Sequence, residues 1–237
     1  MKENSTAAEF IPGMKKWEAL AALVYLPLHI FVIPLLAVQG HLRGWYGEAE
    51  ANFICYAVGA LFMLLVLGRF LRRDFDPFMD RPLACVLEVA SSYLYMMGFN
   101  LILNMALSFF APVQENPNNQ AVFGLAEGSF GMVSAMAVFL APIVEELIFR
   151  GGIFALLYPV SRRAAYLTGM LLFSVYHVWS YAATDPTAWI YLLQYLPVSF
   201  LLCRCYERCR SIWGPIFLHM LINAISMNAL KMLEGLV

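Results

Sequence analysis

Two adjacent glutamates and an arginine occur inside a long apolar segment, in APIVEELIFRGG at residues 141–152. An ionised side chain at the middle of a bilayer costs on the order of 2.5–3.5 kcal/mol on insertion scales, so such charges have a partner or a function. Glu146 and Arg150 are four residues apart and meet on one face of a helix, where they can form an ion pair. Glu145 projects about 100° away from Glu146, so it cannot share Arg150 in the same way. Glu145 is therefore the candidate for acid–base chemistry.

Two further segments place polar side chains inside apolar stretches. FSVYH contains His177 four residues after Phe173, and HMLIN contains His219 and Asn223 at a spacing of four. Taken singly, each is explained about equally well by an ordinary hydrogen bond in the core or between helices. Because both segments lie in the same half of the chain as Glu145, on separate predicted helices, they form a candidate site together.

The other two histidines are His29, in the first apolar segment, and His41, in a loop. Neither has a polar neighbour at helical spacing that would indicate a site.

The depths of the candidate residues can be compared at a helical rise of 1.5 Å per residue. Glu145 and His177 both lie about 20 Å from the basic ends of their helices, whereas His219 lies only about 10 Å from Ile212. A tilt of the last helix, or a deeper start near Pro215, would be needed to bring the three to one level.

The elements that must position these residues are membrane helices. The chain has 237 residues, of which 62% are hydrophobic and 13% charged, whereas soluble domains carry about 25% charged residues. Seven charge-free segments have about 17 residues or more, the length needed to cross about 30 Å of hydrocarbon. They are Ala19–Leu42, Ala51–Gly68, Val89–Val113, Gly128–Val144, Ala164–Thr184, Pro186–Cys203 and Ser211–Leu230. The sequence therefore predicts an all-α, polytopic membrane bundle of about seven transmembrane helices.

The distribution of positive charge predicts the orientation of the bundle. Twelve of the 15 Lys and Arg residues precede the first helix or lie in alternate loops: Lys2, Lys15, Lys16, Arg69, Arg72, Arg73, Arg81, Arg162, Arg163, Arg204, Arg208 and Arg210. Basic loops stay in the cytoplasm, so we expect a cytoplasmic N-terminus. The net charge of −1 argues against a nucleic-acid partner, which would require a basic surface.

The whole chain, 1–237, is interpreted as one integral membrane domain. We expect residues 1–128 to form three accessory helices and residues 129–237 to form the catalytic core of helices 4–7. The more polar stretch Ala111–Glu127 can hold a short re-entrant or amphipathic element. Pro142 loosens the helix about one turn before the glutamates.

Three motifs in this order resemble one known family. EELIFR resembles the EExxxR motif, FSVYH the FxxxH motif and HMLIN the HxxxN motif of the CPBP family. This is the family of CAAX protease and bacteriocin-processing intramembrane proteases, also called Abi proteins. The resemblance covers about residues 129–237, and each motif is weak alone but specific in combination.

The resemblance implies an intramembrane endopeptidase. By analogy with type II CAAX prenyl endopeptidases, Glu145 assisted by His177 would activate a water molecule, and His219 with Asn223 would form the oxyanion hole. Supporting roles would fall to Glu146, Arg150 and Phe173. The reaction also requires a water-filled cavity, which we expect to open to the cytoplasm. The partners would be the lipid bilayer and a peptide or membrane-anchored protein substrate.

A zinc-dependent mechanism is the alternative for the same residues. Glu145, His177 and His219 could hold Zn²⁺ as two histidines and one carboxylate, with a fourth position open. The sequence contains no HExxH helix, and we favour a glutamic mechanism with no cofactor.

Two other functions use the same polar residues. Intramembrane Glu and His side chains also occur in proton-coupled transporters, although such proteins often show repeated halves. A non-catalytic bacteriocin immunity or scaffold protein is the third possibility. The short chain without eukaryotic targeting features favours a multi-pass protein of the bacterial plasma membrane.

Overall fold

The computed structural model describes residues 10–109 and 116–233, and within these residues every regular element is helical. Seven long helices follow one another along the chain. They are α1 Lys16–Leu42, α2 Glu48–Arg73, α3 Pro82–Ser108, α4 Pro117–Leu157, α5 Arg162–Ala182, α6 Pro186–Cys209 and α7 Trp213–Leu233. A four-residue helix, Asp76–Met79, connects α2 to α3. The predicted all-α, polytopic membrane bundle is confirmed.

Five of these helices, α1 to α4 and α6, are both long enough and apolar enough to cross a membrane. The other two, α5 and α7, have 21 residues each, which gives about 31 Å at 1.5 Å per residue. Each of them carries one of the remaining motifs, FSVYH on α5 and HMLIN on α7. All seven helices are therefore long enough to cross a membrane, and five of them are also apolar enough.

The bundle has a buried centre and an apolar outer surface. In the most apolar stretch of α4, 61% of the residues are buried, against 17% in α3. Large side chains of the outer helices face away from the protein, including Val24 and Leu35 on α1 and Leu83 and Leu94 on α3. A continuous apolar surface of this kind is stable in contact with lipid. The helix with the two glutamates is thus shielded by the others.

Helix α4 is irregular in the region that carries the motif. The backbone bends at Ser129, whose φ of −155° and ψ of 49° are not helical. Two π-helical segments, Met136–Leu140 and Leu147–Phe154, enclose the six-residue α-helical segment Ala141–Glu146. Wide π-helical turns occur frequently at functional sites. The predicted polar element falls partly outside the described residues, and its described part, from Asn116 onward, forms the beginning of α4.

The residues before α7 are buried against the end of α2. Ser211 and Ile212 are fully buried. The Ser211 hydroxyl donates to the Asp74 carbonyl oxygen at 2.6 Å, and the Ile212 N–H donates to Asp74 Oδ2 at 2.6 Å. These contacts hold the start of α7 against the end of α2.

Asp74 gives a prediction for the pH dependence of stability. Burial raises the pKa of its carboxyl group from 3.8 to about 7, although the Ile212 N–H, Ser211 and Arg73 oppose this shift. The folded chain thus holds the proton more tightly than the unfolded chain, so the stabilisation is complete below about pH 4 and is lost as the pH rises through 7. We expect Asp74→Asn to flatten this dependence and to melt at a higher temperature than the parent at pH 8.

The measurement is the melting temperature of the detergent-solubilised protein between pH 4 and pH 8. The exposed Asp76 provides the control variant Asp76→Asn, which should follow the parent. An unchanged pH dependence in Asp74→Asn would contradict the assignment.

Candidate active site

The carboxylate of Glu145 lies at the meeting point of three helices. The residue is 3% exposed, and its Oε1 accepts a hydrogen bond from the Tyr56 hydroxyl on α2 at 3.1 Å. Its Oε2 faces His177 Nε2 on α5 at 3.6 Å and His219 Nε2 on α7 at 3.9 Å. No side chain among residues 10–109 and 116–233 donates a hydrogen bond to this oxygen. Two imidazoles and one carboxylate therefore converge on a small space.

The contacts of the two Nδ1 atoms determine which nitrogen of each imidazole carries the proton. His177 Nδ1 lies 2.9 Å from the Phe173 carbonyl oxygen, and His219 Nδ1 lies 2.8 Å from Glu146 Oε1. Carbonyl and carboxylate oxygens only accept, so each Nδ1 carries a proton and a neutral ring presents the lone pair of Nε2. Three acceptors then face one another. Such an arrangement is favourable only when a donor or a cation lies between them.

The predicted ion pair between Glu146 and Arg150 is present and completely buried. Arg150 Nη1 donates to Glu146 Oε1 at 3.1 Å, and both side chains have no exposed surface. Arg150 Nη2 donates to Ser199 Oγ on α6 at 2.9 Å, and its guanidinium carbon lies 4.3 Å from the centre of the Phe173 ring. Glu146 Oε1 also contacts His219, so the pair is in position to orient that ring.

Asn223 lines the same space, and its side-chain amide also bonds to the backbone of α4. Asn223 Nδ2 donates to the carbonyl oxygen of Ala137 at 2.7 Å. In this π-helical segment the Ala141 N–H bonds to the Met136 carbonyl, five residues back. At the same spacing Pro142 would bond to Ala137, but proline has no N–H. Asn223 therefore satisfies the acceptor that Pro142 leaves open, and keeps its second amide hydrogen for a ligand.

A chain of hydrogen bonds extends from Glu145 to the first helix. After Tyr56, the Tyr176 hydroxyl follows at 3.2 Å, and His29 Nε2 lies 3.0 Å from Tyr176. His29, which has no polar neighbour at helical spacing in the sequence, is thus buried and connected to the site through two tyrosine hydroxyls. His41 instead bonds to the backbone of Tyr46 in its loop, as expected for a residue outside the site.

The sequence did not indicate Tyr56, Tyr176 or His29 as part of the site, because each of their contacts joins distant parts of the chain. Tyr56 lies 89 residues from Glu145 and 120 from Tyr176, and His29 lies 147 from Tyr176. Helical spacing reveals only neighbours at three or four residues. The one local signal was Tyr176 itself, which directly precedes His177 in FSVYH.

A cavity of about 760 Å³ contains the site. Its lining residues include Glu145, His177, His219 and Asn223, together with side chains from the first halves of α2, α4 and α6 and the last halves of α3 and α5. These halves of the helices lie opposite the Arg-rich loops. The expected opening to the cytoplasm therefore conflicts with the orientation that the same basic loops predict.

The three candidate zinc ligands were tested for their fit to a metal ion. Their nitrogen and oxygen atoms are 3.6 and 3.9 Å apart, near the separation of about 3.4 Å that zinc bonds of about 2.1 Å imply for tetrahedral neighbours. The orienting partners on both Nδ1 atoms also occur in zinc sites. However, the described ranges contain no group of three or more His, Cys, Asp or Glu side chains that meets the geometry of a metal site. Zinc held by Glu145, His177 and His219 would act as a Lewis acid on water, and this alternative stays a hypothesis.

The fold and the cavity define a polytopic membrane protein with a polar site inside the bundle. Residues 128–225 match the profile of the family described as type II CAAX prenyl endopeptidase Rce1-like. YdiL of Bacillus subtilis strain 168, described as a candidate membrane peptidase, is 31% identical over 111 residues. The resemblance of the three motifs to the CPBP family is therefore confirmed over this segment.

The extent of these similarities is limited. The alignment with YdiL covers 46% of this chain and 41% of the relative, so the chain spans less than half of the relative's length. No solved structure matches the chain. Helices α1 to α3, which supply His29 and Tyr56, lie outside the matched residues.

Tyr56→Phe tests whether the α2 hydroxyl supports Glu145. The change removes the donor to Glu145 Oε1 and breaks the connection to Tyr176, while the ring remains. Because a hydrogen bond to a charged group contributes about 1.5–3 kcal/mol, we expect a 10- to 100-fold loss of the Glu145-dependent activity. Tyr95→Phe on the outer surface of α3, where the residue is 54% exposed, is the control. Equal activity of the two variants would exclude this role.

Proposed function

We propose that the chain is an intramembrane endopeptidase that hydrolyses peptide bonds of membrane-associated peptides or proteins. The observation that carries the proposal is the convergence of Glu145 Oε2, His177 Nε2 and His219 Nε2 without a donor between them. A water molecule that donates to Glu145 Oε2 and His177 Nε2 supplies donors for two of these three acceptors. The similarity to type II CAAX prenyl endopeptidases and to a candidate membrane peptidase supports the same class.

Glu145 acts as the general base in this proposal. As the water oxygen attacks the peptide carbonyl carbon, one water proton passes to Glu145 Oε2 and His177 Nε2 holds the other. The Tyr56 hydroxyl keeps the carboxylate in place through Oε1. General-base assistance of this kind contributes about 10²- to 10⁴-fold to the rate.

His219 and Asn223 stabilise the negative oxygen of the tetrahedral intermediate. The second amide hydrogen of Asn223 is available for this contact, because only one hydrogen is used by Ala137. His219 Nε2 lies 3.9 Å from Glu145 Oε2 and is the second group proposed to contact the negative oxygen of the intermediate. The C–N bond then breaks, and the proton held by Glu145 passes to the leaving amine.

The chain of hydroxyls from Glu145 to His29 is also compatible with proton movement, so a proton-coupled transporter is the second candidate. Its continuation would require a path from His29 to a membrane face. His29 Nδ1 is buried and has no hydrogen-bond partner within the described part of the chain. A non-catalytic immunity or scaffold protein stays the third hypothesis, and the bacterial plasma membrane stays the proposed location.

Glu145→Gln is the direct test of the peptidase proposal. Glutamine keeps the size of the side chain but is a far weaker base, so we expect the rate of peptide-bond cleavage to fall by about 10²- to 10⁴-fold. The measurement is the labelling of new peptide N-termini in membranes that contain the parent or the variant at equal levels. Glu127→Gln is the matched control, because Glu127 is exposed on the same helix.

The outcomes separate the hypotheses. Cleavage products that depend on Glu145 support the peptidase. Identical N-termini with and without Glu145 would reject it, and a Glu145-dependent proton flux into liposomes that contain the protein would favour the transporter.

Chelation distinguishes the glutamic mechanism from the zinc alternative. We expect the purified protein to retain its Glu145-dependent activity after prolonged treatment with 1,10-phenanthroline and to contain less than one zinc per chain by elemental analysis. Loss of activity that is restored by stoichiometric Zn²⁺, but not by Mg²⁺, would contradict the metal-free mechanism. Glu145→Gln treated in parallel gives the background.

A further inference from the structure

Many of the side chains that line the cavity are amides. Six of them lie on α3 and α6 and at the beginning of α4, and we call them the carboxamide vestibule: Asn100, Asn104, Asn116, Asn118, Asn119 and Gln194. Among the described residues that line the whole cavity, Glu145 is the only Asp, Glu, Lys or Arg. The path to the site is therefore polar but almost free of formal charge.

Hydrogen bonds between these amides hold the vestibule together. Asn116 Nδ2 donates to Gln194 Oε1 at 2.8 Å, and Gln194 Nε2 donates to Asn104 Oδ1 at 3.4 Å. The Tyr195 hydroxyl donates to Asn116 Oδ1 at 3.2 Å. These contacts connect α3, the beginning of α4 and α6. Each amide has two donor hydrogens and two acceptor lone pairs, so the network leaves part of this capacity unused.

Asn100 supplies an acceptor that has no partner. Its Oδ1 is buried and receives no hydrogen bond from residues 10–109 or 116–233. The residue lies one turn before Asn104 on α3 and lines the cavity. A buried acceptor without a partner costs about 1–3 kcal/mol, so a ligand that brings an N–H group would be bound there.

The chemistry of the vestibule fits the main chain of a peptide. A carboxamide presents one C=O and one NH₂ group, and it is therefore complementary to both the N–H and the C=O of a peptide bond. Only an extended segment offers these groups, because a helix has already used them within itself. Charged side chains would lose water in the vestibule without finding an opposite charge.

We propose that the carboxamide vestibule binds the main chain of an extended, uncharged peptide segment that enters from the end of the bundle opposite the basic loops. The inference rests on the proposed peptidase function and specifies its substrate class. Since basic loops stay in the cytoplasm, that end faces away from the cytoplasm. The substrates would be neutral segments of exported or membrane-anchored chains at the outer face.

The binding test uses the Glu145→Gln protein, so that no cleavage interferes. The probe is a biotinylated, end-capped peptide of 12 residues that contains alanine, serine, leucine and one benzoylphenylalanine for photocrosslinking. Two analogues carry two lysines or two aspartates in place of serines. We expect the neutral probe to crosslink to the protein at lower concentrations than both charged analogues.

Asn100→Leu in the Glu145→Gln background tests the unpartnered acceptor. The leucine has a similar size and removes a buried group without a partner, so the fold should be retained, which circular dichroism and the melting temperature check. The loss of one neutral hydrogen bond weakens binding of the neutral probe by roughly 3- to 10-fold. Asn228→Leu, an exposed carboxamide on α7 outside the cavity, is the matched control and should bind like its parent.

The side of entry is tested by thiol labelling in intact cells. All five native cysteines are buried, so the parent gives a low background. Asn119→Cys at the vestibule should react with a membrane-impermeant maleimide from outside, whereas Arg163→Cys in a basic loop should react only after permeabilisation. Both positions are exposed.

The results can separate this inference from the peptidase proposal. Crosslinking that depends on Asn100, without any Glu145-dependent cleavage by the parent, supports the vestibule and rejects the peptidase. Equal crosslinking by all three probes, unchanged binding in Asn100→Leu or a reversed labelling pattern would each overturn the inference, even if cleavage is observed.

Discussion

The buried ion pair between Glu146 and Arg150 determines the arrangement around it. Neither side chain has exposed surface, and a single charge in hydrocarbon is costly, so the pair depends on further contacts inside the protein. Ser199 on α6, the Phe173 ring on α5 and His219 on α7 provide these contacts. Removal of one partner from such a pair typically costs about 3–5 kcal/mol. The pair thereby fixes four helices relative to one another.

The two neighbouring carboxylates, Glu145 and Glu146, have different surroundings in this arrangement. Glu146 Oε1 is occupied by Arg150 and His219, whereas Glu145 Oε2 faces two imidazole nitrogens at 3.6 and 3.9 Å. The helical offset of about 100° between consecutive residues directs the two groups to different surroundings. Irregular backbone on both sides of Ala141–Glu146 widens the helix, and Asn223 compensates for the missing N–H of Pro142. The irregular backbone of α4 is thus stabilised by the hydrogen bond from Asn223 on α7.

The sequence predicted the helices and the motif residues because both depend on local patterns. Charge-free segments marked the spans, and a spacing of four residues marked the pair of Glu146 and Arg150. Contacts of Tyr56 and His29 could not be predicted, since they depend on how distant helices pack. The long, bent α4 was also missed, because the polar stretch before Ser129 shows no membrane signal. The side on which the cavity opens could not be predicted either, because it depends on the packing of all seven helices.

The helices outside the family match contribute to the site itself. Tyr56 on α2 holds Glu145, His29 on α1 ends the chain of hydroxyls, and Asn100 on α3 lines the route to it. Residues 128–225 alone would therefore present the motif side chains with one wall of the cavity missing. In the proposed peptidase, the motif residues on α4, α5 and α7 would supply the chemistry, whereas the first three helices would shape the space that a substrate enters. Differences in substrate between related chains are then expected to follow differences in these helices rather than in the motifs.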